Sequence, residues 1–333
     1  MNMQFKQFGR TGLSVSRLCL GTGTFGHQTG EAEAFRILDA AADAGVNFID
    51  TADVYPAGAL PHEIGSSEEI TGRWLKDKRG KFILGAKAGG PMGPSAWDKG
   101  ASRKHLLDAI DASLRRLRID YVDLYQIHMD DPTTPLDETA ETLDLIVRSG
   151  RVRYIGVSNF LAYRLARAIG RQDTLRLVRF VSAQPRYNLL FREIERELLP
   201  LAQEEGLAVT PYNPLAGGLL TGRYRRDDDP DRGRFSAELG QFGAAYRARY
   251  WREREFDTLE QLRALATASS EPLPKLAIAW ILANSAITSV ILGASRSEQL
   301  EDTLAAADYS LALELKAELD DLTAEYRRGD AGR

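Results

Sequence analysis

Four polar residues stand where strand-like segments end: Asp50, Tyr55, Lys87 and His128. Asp50 closes the run Val46-Asn47-Phe48-Ile49, Lys87 follows soon after Phe82-Ile83-Leu84, and His128 follows residues 121–127. Tyr55 lies just beyond Asp50 in the same loop. A phenol, an ammonium, a carboxylate and an imidazole gathered at one rim form an acid relay suited to protonating a carbonyl oxygen. A free phenol ionises near ~10, a poor match for proton transfer at neutral pH. A nearby ammonium would pull that value down, and a carboxylate would keep the ammonium charged and in place. Singly, each residue has an ordinary reading: Asp50 a loop or capping acid, Lys87 a surface charge, His128 a core histidine, Tyr55 a packing aromatic.

Gathering them is a task for the strands and helices between. Short apolar runs at 17–20, 46–50, 82–86, 122–127, 153–157, 180–183, 208–211 and 289–292 mostly lack polar alternation. Parallel strands covered on both faces have this pattern. Amphipathic stretches alternate with them at 31–44, 68–76, 136–148, 162–169, 193–204, 259–268, 276–284 and 298–306. Another follows Ser102, a candidate N-cap before the row Leu106, Ile110, Leu114 and Leu117. Gly45, Gly150 and Gly206 each stand just past a helical stretch, where a left-handed stop is wanted.

Eight such units in series predict an α/β fold, a closed (β/α)8 TIM barrel. Residues 10–13 read as the turn of an N-terminal β-hairpin plugging the barrel floor, and 311–327 as an extra C-terminal helix. The long polar stretch 221–254 before the last strand reads as a mobile flap over the rim. With no low-complexity linker, residues 1–333 read as one domain.

Gly21-Thr22-Gly23-Thr24-Phe25-Gly26 matches the dinucleotide fingerprint G-x-G-x-x-G, and Asp50 ends the next strand where a ribose-binding acid would stand. Against a doubly wound sheet, the next helix starts near Glu31, too late for Gly26 to pack it on the strand. The strand count also runs on to eight.

The net charge of −4 gives no reason to expect nucleic-acid binding. Cys19 is the only cysteine, so no internal disulfide forms, and the run Leu18-Cys19-Leu20 reads as core. The four histidines lack metal-binding spacing, so no metal is expected. There is neither a signal-peptide core nor an apolar stretch long enough to cross a bilayer, which reads as a cytoplasmic protein without membrane partners.

The ordered segments carry a family resemblance. Asp50-Thr51-Ala52-Asp53-Val54-Tyr55, Lys87, Gln126-Ile127-His128 and Gly156-Val157-Ser158-Asn159-Phe160 resemble signature segments of the aldo-keto reductases. So do Gln184-Pro185-Arg186-Tyr187-Asn188, Pro211-Tyr212-Asn213-Pro214-Leu215 and Ile291-Leu292-Gly293-Ala294-Ser295-Arg296. The match runs from about Phe5 to Leu304, with likeness to the channel β-subunit-like branch. It implies NADPH-dependent reduction of an aldehyde or ketone, with Tyr55 as general acid, Lys87 and Asp50 tuning it, and His128 orienting the carbonyl.

The resemblance also implies cofactor contacts. Ser158, Asn159 and Gln184 match holders of the nicotinamide carboxamide, and Tyr212, followed by Asn213, matches the aromatic stacked on the ring. Leu215, Gly217 and Leu219 match a pyrophosphate strap, while Gly21, Thr22, Gly23 and Asp50 belong to the first loops. Gly293, Ser295, Arg296, Gln299 and Asp302 match the adenosine end. Arg296 argues for NADPH, because a guanidinium can fork onto the 2′-phosphate; the plainer reading is a surface arginine. Thr303 departs from the family pattern, lacking the amide that would hold adenine. The insertion at 56–66 is expected to reshape one wall of the mouth.

Phe25, Trp97, Tyr55 and His128 are the candidate substrate contacts, with aromatics of the 221–254 stretch either joining the mouth or packing the flap. An aromatic, largely uncharged rim suits a neutral, sugar-like carbonyl compound. The alternative function is a non-catalytic NADP-binding regulatory subunit of the same fold. Oligomeric state is left open.

Overall fold

The computed structural model describes residues 2–328, so Met1 and residues 329–333 of the expected domain lie outside it. An antiparallel hairpin, β1 (Phe5–Gln7) and β2 (Ser14–Ser16), comes first. Eight parallel strands follow: β3 (Leu18–Gly21), β4 (Phe48–Asp50), β5 (Ile83–Ala88), β6 (Val122–Ile127), β7 (Val152–Ser158), β8 (Phe180–Gln184), β9 (Ala208–Val209) and β10 (Val290–Gly293). All eight expected strands are present, with ends shifted by up to two residues.

Their spatial order is β10-β3-β4-β5-β6-β7-β8-β9, so chain neighbours are sheet neighbours throughout. A doubly wound sheet would reverse its order partway, which excludes the dinucleotide-fold reading of the glycine motif. The edges meet: the Thr288 amide donates to the Val209 carbonyl at 2.8 Å, and the Ile291 amide to Pro211 at 2.9 Å. The sheet therefore closes into a (β/α)8 barrel.

The hairpin closes the floor. Phe8, just past β1, is buried with Val15, Cys19, Phe48, Leu124, Ala208 and Ile291, inward-facing residues of the strands. Its ring meets Phe48 edge-on at 5.7 Å. Gly9 is left-handed at φ 57°, and a Cβ there would lie 2.7 Å from the Gly206 carbonyl, so glycine lets the plug seat.

Outside the barrel lie α1 (Glu31–Asp43), α2 (Ser66–Leu75), α3 (Arg103–Leu117), α4 (Leu136–Arg148), α5 (Ala162–Leu175) and α6 (Leu198–Glu205). Ser102 caps α3, accepting from the His105 amide at 3.3 Å. The helix expected at 193–204 begins only at Leu198, after a 3-10 turn, Glu193–Glu195. Pro200 explains the late start: it lacks an N–H and fits only the first turn.

The 221–254 stretch, expected as a flap, instead carries a 3-10 turn (Ala237–Leu239) and α7 (Gly240–Tyr250). Phe235, Tyr246 and Tyr250 are buried, and the Phe235 and Trp251 rings pack at 5.0 Å. The missed signal was the i, i+4 row Phe242, Tyr246 and Tyr250, one face of a helix. The chain continues through α8 (Glu253–Ala268), α9 (Leu273–Leu282), α10 (Glu301–Ala305) and α11 (Leu313–Leu322). The expected single tail helix ends at Leu322 and resumes as a 3-10 turn, Ala324–Arg328. Among the described residues no helix is long and apolar enough to cross a membrane.

Candidate active site

Parallel strands send their C-terminal ends to one rim, and β4, β5 and β6 end beside Asp50, Lys87 and His128. Register does the alignment: Asp50 pairs with Gly85, and Lys87 with Gln126. The four residues named from sequence are brought together here.

Lys87 is fully buried and donates through Nζ to Asp50 Oδ2. Asp50, 2% exposed, also accepts at Oδ1 from Gln126 Nε2 at 3.2 Å and Gln184 Nε2 at 3.0 Å. A buried ion pair needs such extra donors to satisfy the remaining lone pairs. Burial pushes the Lys87 ammonium down, but Asp50 and Tyr55 outweigh it, so the net shift is upward. Lys87 therefore stays charged at neutral pH.

The Lys87 ammonium lies 5.1 Å from the Tyr55 ring centroid. Among the described residues no hydrogen bond joins the phenol to the ammonium, so Lys87 acts on Tyr55 through its field. Burial raises the phenol, with Lys87 pulling it back and Asp50 raising it further. This corrects the sequence-based expectation of a lowered value: loss of hydration outweighs the cation. The phenol is thus held protonated.

The Tyr55 and His128 rings meet edge-on, with centroids 5.7 Å apart. Burial, then Lys87, lowers His128 to about 3, so the imidazole is neutral. Its Nδ1 is buried without a hydrogen-bond partner among the described residues. A half-buried neutral imidazole beside a protonated phenol can hydrogen-bond a polar oxygen without adding charge.

The expected carboxamide holders also converge. Ser158 Oγ donates to the Gln184 carbonyl at 2.9 Å. Asn159 Nδ2 donates to the His128 carbonyl at 2.9 Å and to Ser158 Oγ at 3.0 Å. The Tyr212 hydroxyl donates to Asn159 Oδ1 at 2.8 Å. Asn159 is left-handed at φ 59°, which re-aims its side chain at the end of β7.

Thr22 accepts from Ser67 Oγ at 2.8 Å, holding the first loop against α2. The strap 215–219 turns through left-handed Gly217 (φ 73°) and Gly218 (φ 102°), while Leu219 is buried. Asn213 Oδ1 accepts from the Gly217 amide at 2.6 Å and sets that turn. At Gly293 a Cβ would meet nothing within 4 Å, so open space adjoins the end of β10. Ser295 and Gln299 are bonded together, the Ser295 amide to Gln299 Oε1 at 2.9 Å. Arg296 is exposed and without an ion pair among the described residues, as is the Asp302 carboxylate. Thr303 turns inward, its hydroxyl donating to the Leu300 carbonyl at 3.1 Å. Open backbone turns, an unpaired guanidinium and clustered amides fit a phosphorylated dinucleotide.

Two substrate candidates differ in exposure. Phe25 is fully buried in the core, so its ring is not an open wall of the mouth, whereas Trp97 is 58% exposed. The inserted loop packs on the first loop: the Ala57 amide donates to the Gly23 carbonyl at 2.8 Å, and Glu63 pairs with His27 at 2.8 Å.

Sequence reasoning missed two residues. Gln126, which steadies Asp50, stands two before His128 on β6, and the strand period of two gives both the same face. Arg234 comes from the long connection: a Cβ on Gly23 would lie 3.7 Å from its Nη2 and 3.7 Å from the Tyr55 ring. No local pattern marks it.

Comparison with known proteins places the chain among relatives. A family model described as "Aldo/keto reductase family" matches residues 17–324. The chain is 38% identical over 328 residues to "Uncharacterized oxidoreductase YrpG" of Bacillus subtilis (strain 168), covering 96% of each. It is 38% identical over 315 residues to "Probable voltage-gated potassium channel subunit beta" of Oryza sativa subsp. japonica, covering 92% of each. It is 34% identical over 310 residues to "L-glyceraldehyde 3-phosphate reductase" of Escherichia coli (strain K12), covering 91% of this chain and 87% of that one.

Proposed function

The chain belongs to the aldo/keto reductase family, and on that premise we propose that this oxidoreductase reduces an aldehyde or ketone to the alcohol with NADPH, Tyr55 serving as the general acid. The observation that carries the reading is the buried Asp50–Lys87 pair, its ammonium 5.1 Å from the Tyr55 ring centroid, with the His128 ring edge-on to that of Tyr55. Nicotinamide, when bound, supplies the hydride.

The residues supply the rest. His128 orients the carbonyl by a hydrogen bond to its oxygen. As charge grows on that oxygen, the Lys87 field stabilises it and Tyr55 gives up its proton. The phenolate left behind lies near a buried ammonium, which lowers the cost of that transfer. Asp50 holds Lys87 charged, and Gln126 and Gln184 hold Asp50. Ser158, Asn159 and Gln184 would bind the carboxamide and Tyr212 the ring face. Ser295, Arg296 and Gln299 would take the adenosine end, with Arg296 on the 2′-phosphate. A non-catalytic regulatory role gains no separate support from this geometry.

The test is NADPH consumption with a panel of aldehydes and ketones, beside a Tyr55→Phe control. Wild-type protein should turn over at least one, and the variant should bind NADPH yet lose at least about 100-fold in kcat. Near-normal turnover by the variant would remove Tyr55 from its role. Absence of turnover across the panel would remove the reductase reading.

A further inference from the structure

A cavity of about 300 Å³ opens at the rim, between the loops that follow β7 and β8 and the end of α7. Asn159 and Tyr212 form the wall it shares with the site described above. Asn159 Nδ2 is bonded to the His128 backbone carbonyl, so one side chain separates the cavity from the backbone of the residue that would orient the carbonyl. Phe160, Phe191 and Ile194 give it an apolar lining.

Its charged lining is mostly basic. Arg186, Arg196 and Arg249 line it, and none forms an ion pair among the described residues. Elsewhere on the barrel, Arg116, Arg164 and Arg171 are paired with Glu68, Asp130 and Asp137. Arg186 stacks over Phe191 at 3.5 Å, which fixes the plane of its fork and leaves its N–H edge for a ligand. Glu193 and Glu197 also line the cavity and offset part of this charge, leaving it positive. In a chain of net charge −4, three unpaired guanidinium groups around one half-apolar cavity call for an anion.

We propose that this cavity is the subsite for an anionic group, carboxylate or phosphate, carried by the carbonyl substrate at the end remote from its reacting carbon. The proposal rests on the reductase reading of the tetrad. It replaces the neutral substrate that the aromatic rim suggested: the sequence scatters the three arginines, and only the fold brings their charges to one opening.

The experiment compares one scaffold with three headgroups: benzaldehyde, 4-carboxybenzaldehyde and 4-formylphenyl phosphate, reduced by wild-type protein and by the Arg196→Ala/Arg249→Ala variant. For wild type, kcat/KM for at least one anionic aldehyde should exceed that for benzaldehyde by at least about tenfold, mainly through KM. In the variant this ratio should fall to within about threefold of unity. Which anionic aldehyde is preferred separates carboxylate from phosphate as the natural headgroup. A second measurement needs no turnover: calorimetric titration of benzoate and phenyl phosphate, with benzyl alcohol as the neutral control. One anion should bind wild type and bind the variant at least about tenfold more weakly. Equal kcat/KM across the scaffold in wild type, a ratio unchanged in the variant, or anion binding indifferent to the substitutions would each overturn the subsite. Turnover of no aldehyde together with arginine-dependent anion binding would keep the subsite and sink the reductase reading instead.

Discussion

Removing the Lys87 ammonium separates its structural from its chemical role. In the native protein Lys87 is fully buried and Asp50 is 2% exposed, so neither charge has water to fall back on. Lys87→Met would leave the Asp50 carboxylate with only the Gln126 and Gln184 amides as donors, at 3.2 and 3.0 Å. Breaking a buried pair from one side costs about 3–5 kcal/mol, and two surviving donors place this case near the lower end, about 3 kcal/mol. Asp50→Asn strands the ammonium instead and should cost a similar amount. The double variant has no uncompensated charge, so its loss should fall short of the sum of the two by at least about 2 kcal/mol. Urea unfolding followed by circular dichroism at neutral pH gives the three values. Losses that add to within about 0.5 kcal/mol would refute the argument, because independent sites add in that way. The pH dependence provides a second check. The folded Lys87 value is raised, so the pair's contribution is complete below the ordinary lysine value near ~10.4 and is lost as pH rises through the higher folded value. The gap between wild type and Lys87→Met should therefore stay constant across neutral pH and narrow only in strong alkali.

With His128 lowered to about 3 and the Tyr55 phenol raised, kcat for reduction should be flat through neutral pH and fall only as the phenol ionises in alkali. A kcat inflection near ~6.5, the ordinary imidazole value, would contradict the neutral His128. Arg296→Ala should raise the apparent KM for NADPH by at least about tenfold while barely moving that for NADH. Equal effects on the two nucleotides would remove the 2′-phosphate role. Gly72→Ala should destabilise the fold severely, by about 3 kcal/mol or more, because its Cβ would lie 2.3 Å from the Leu117 carbonyl where α2 meets α3. A melting temperature within a degree or two of wild type would show that the helices part easily.

The barrel was legible because its evidence is local. Apolar runs short enough to be strands, each followed by an amphipathic row, set the count of eight and their order, since parallel strands need a crossover helix between them. The rim residues could be named in advance because a strand end is visible in sequence and all parallel strands point their ends one way. The glycine motif misled on its own, and strand order decided against it.

What the tertiary structure alone decided depends on distance in space. The rise of the Tyr55 phenol follows from burial, which no spacing of Lys87 and Tyr55 along the chain reports. α7 went unread because its apolar row is aromatic and belongs to a long polar connection. Phe25 looked like a mouth residue until the core enclosed it, and Gln126 gained its role only by meeting Asp50 from a different strand. Local patterning determines which elements form and in what order; desolvation and the convergence of charges from separate loops exist only once those elements are packed.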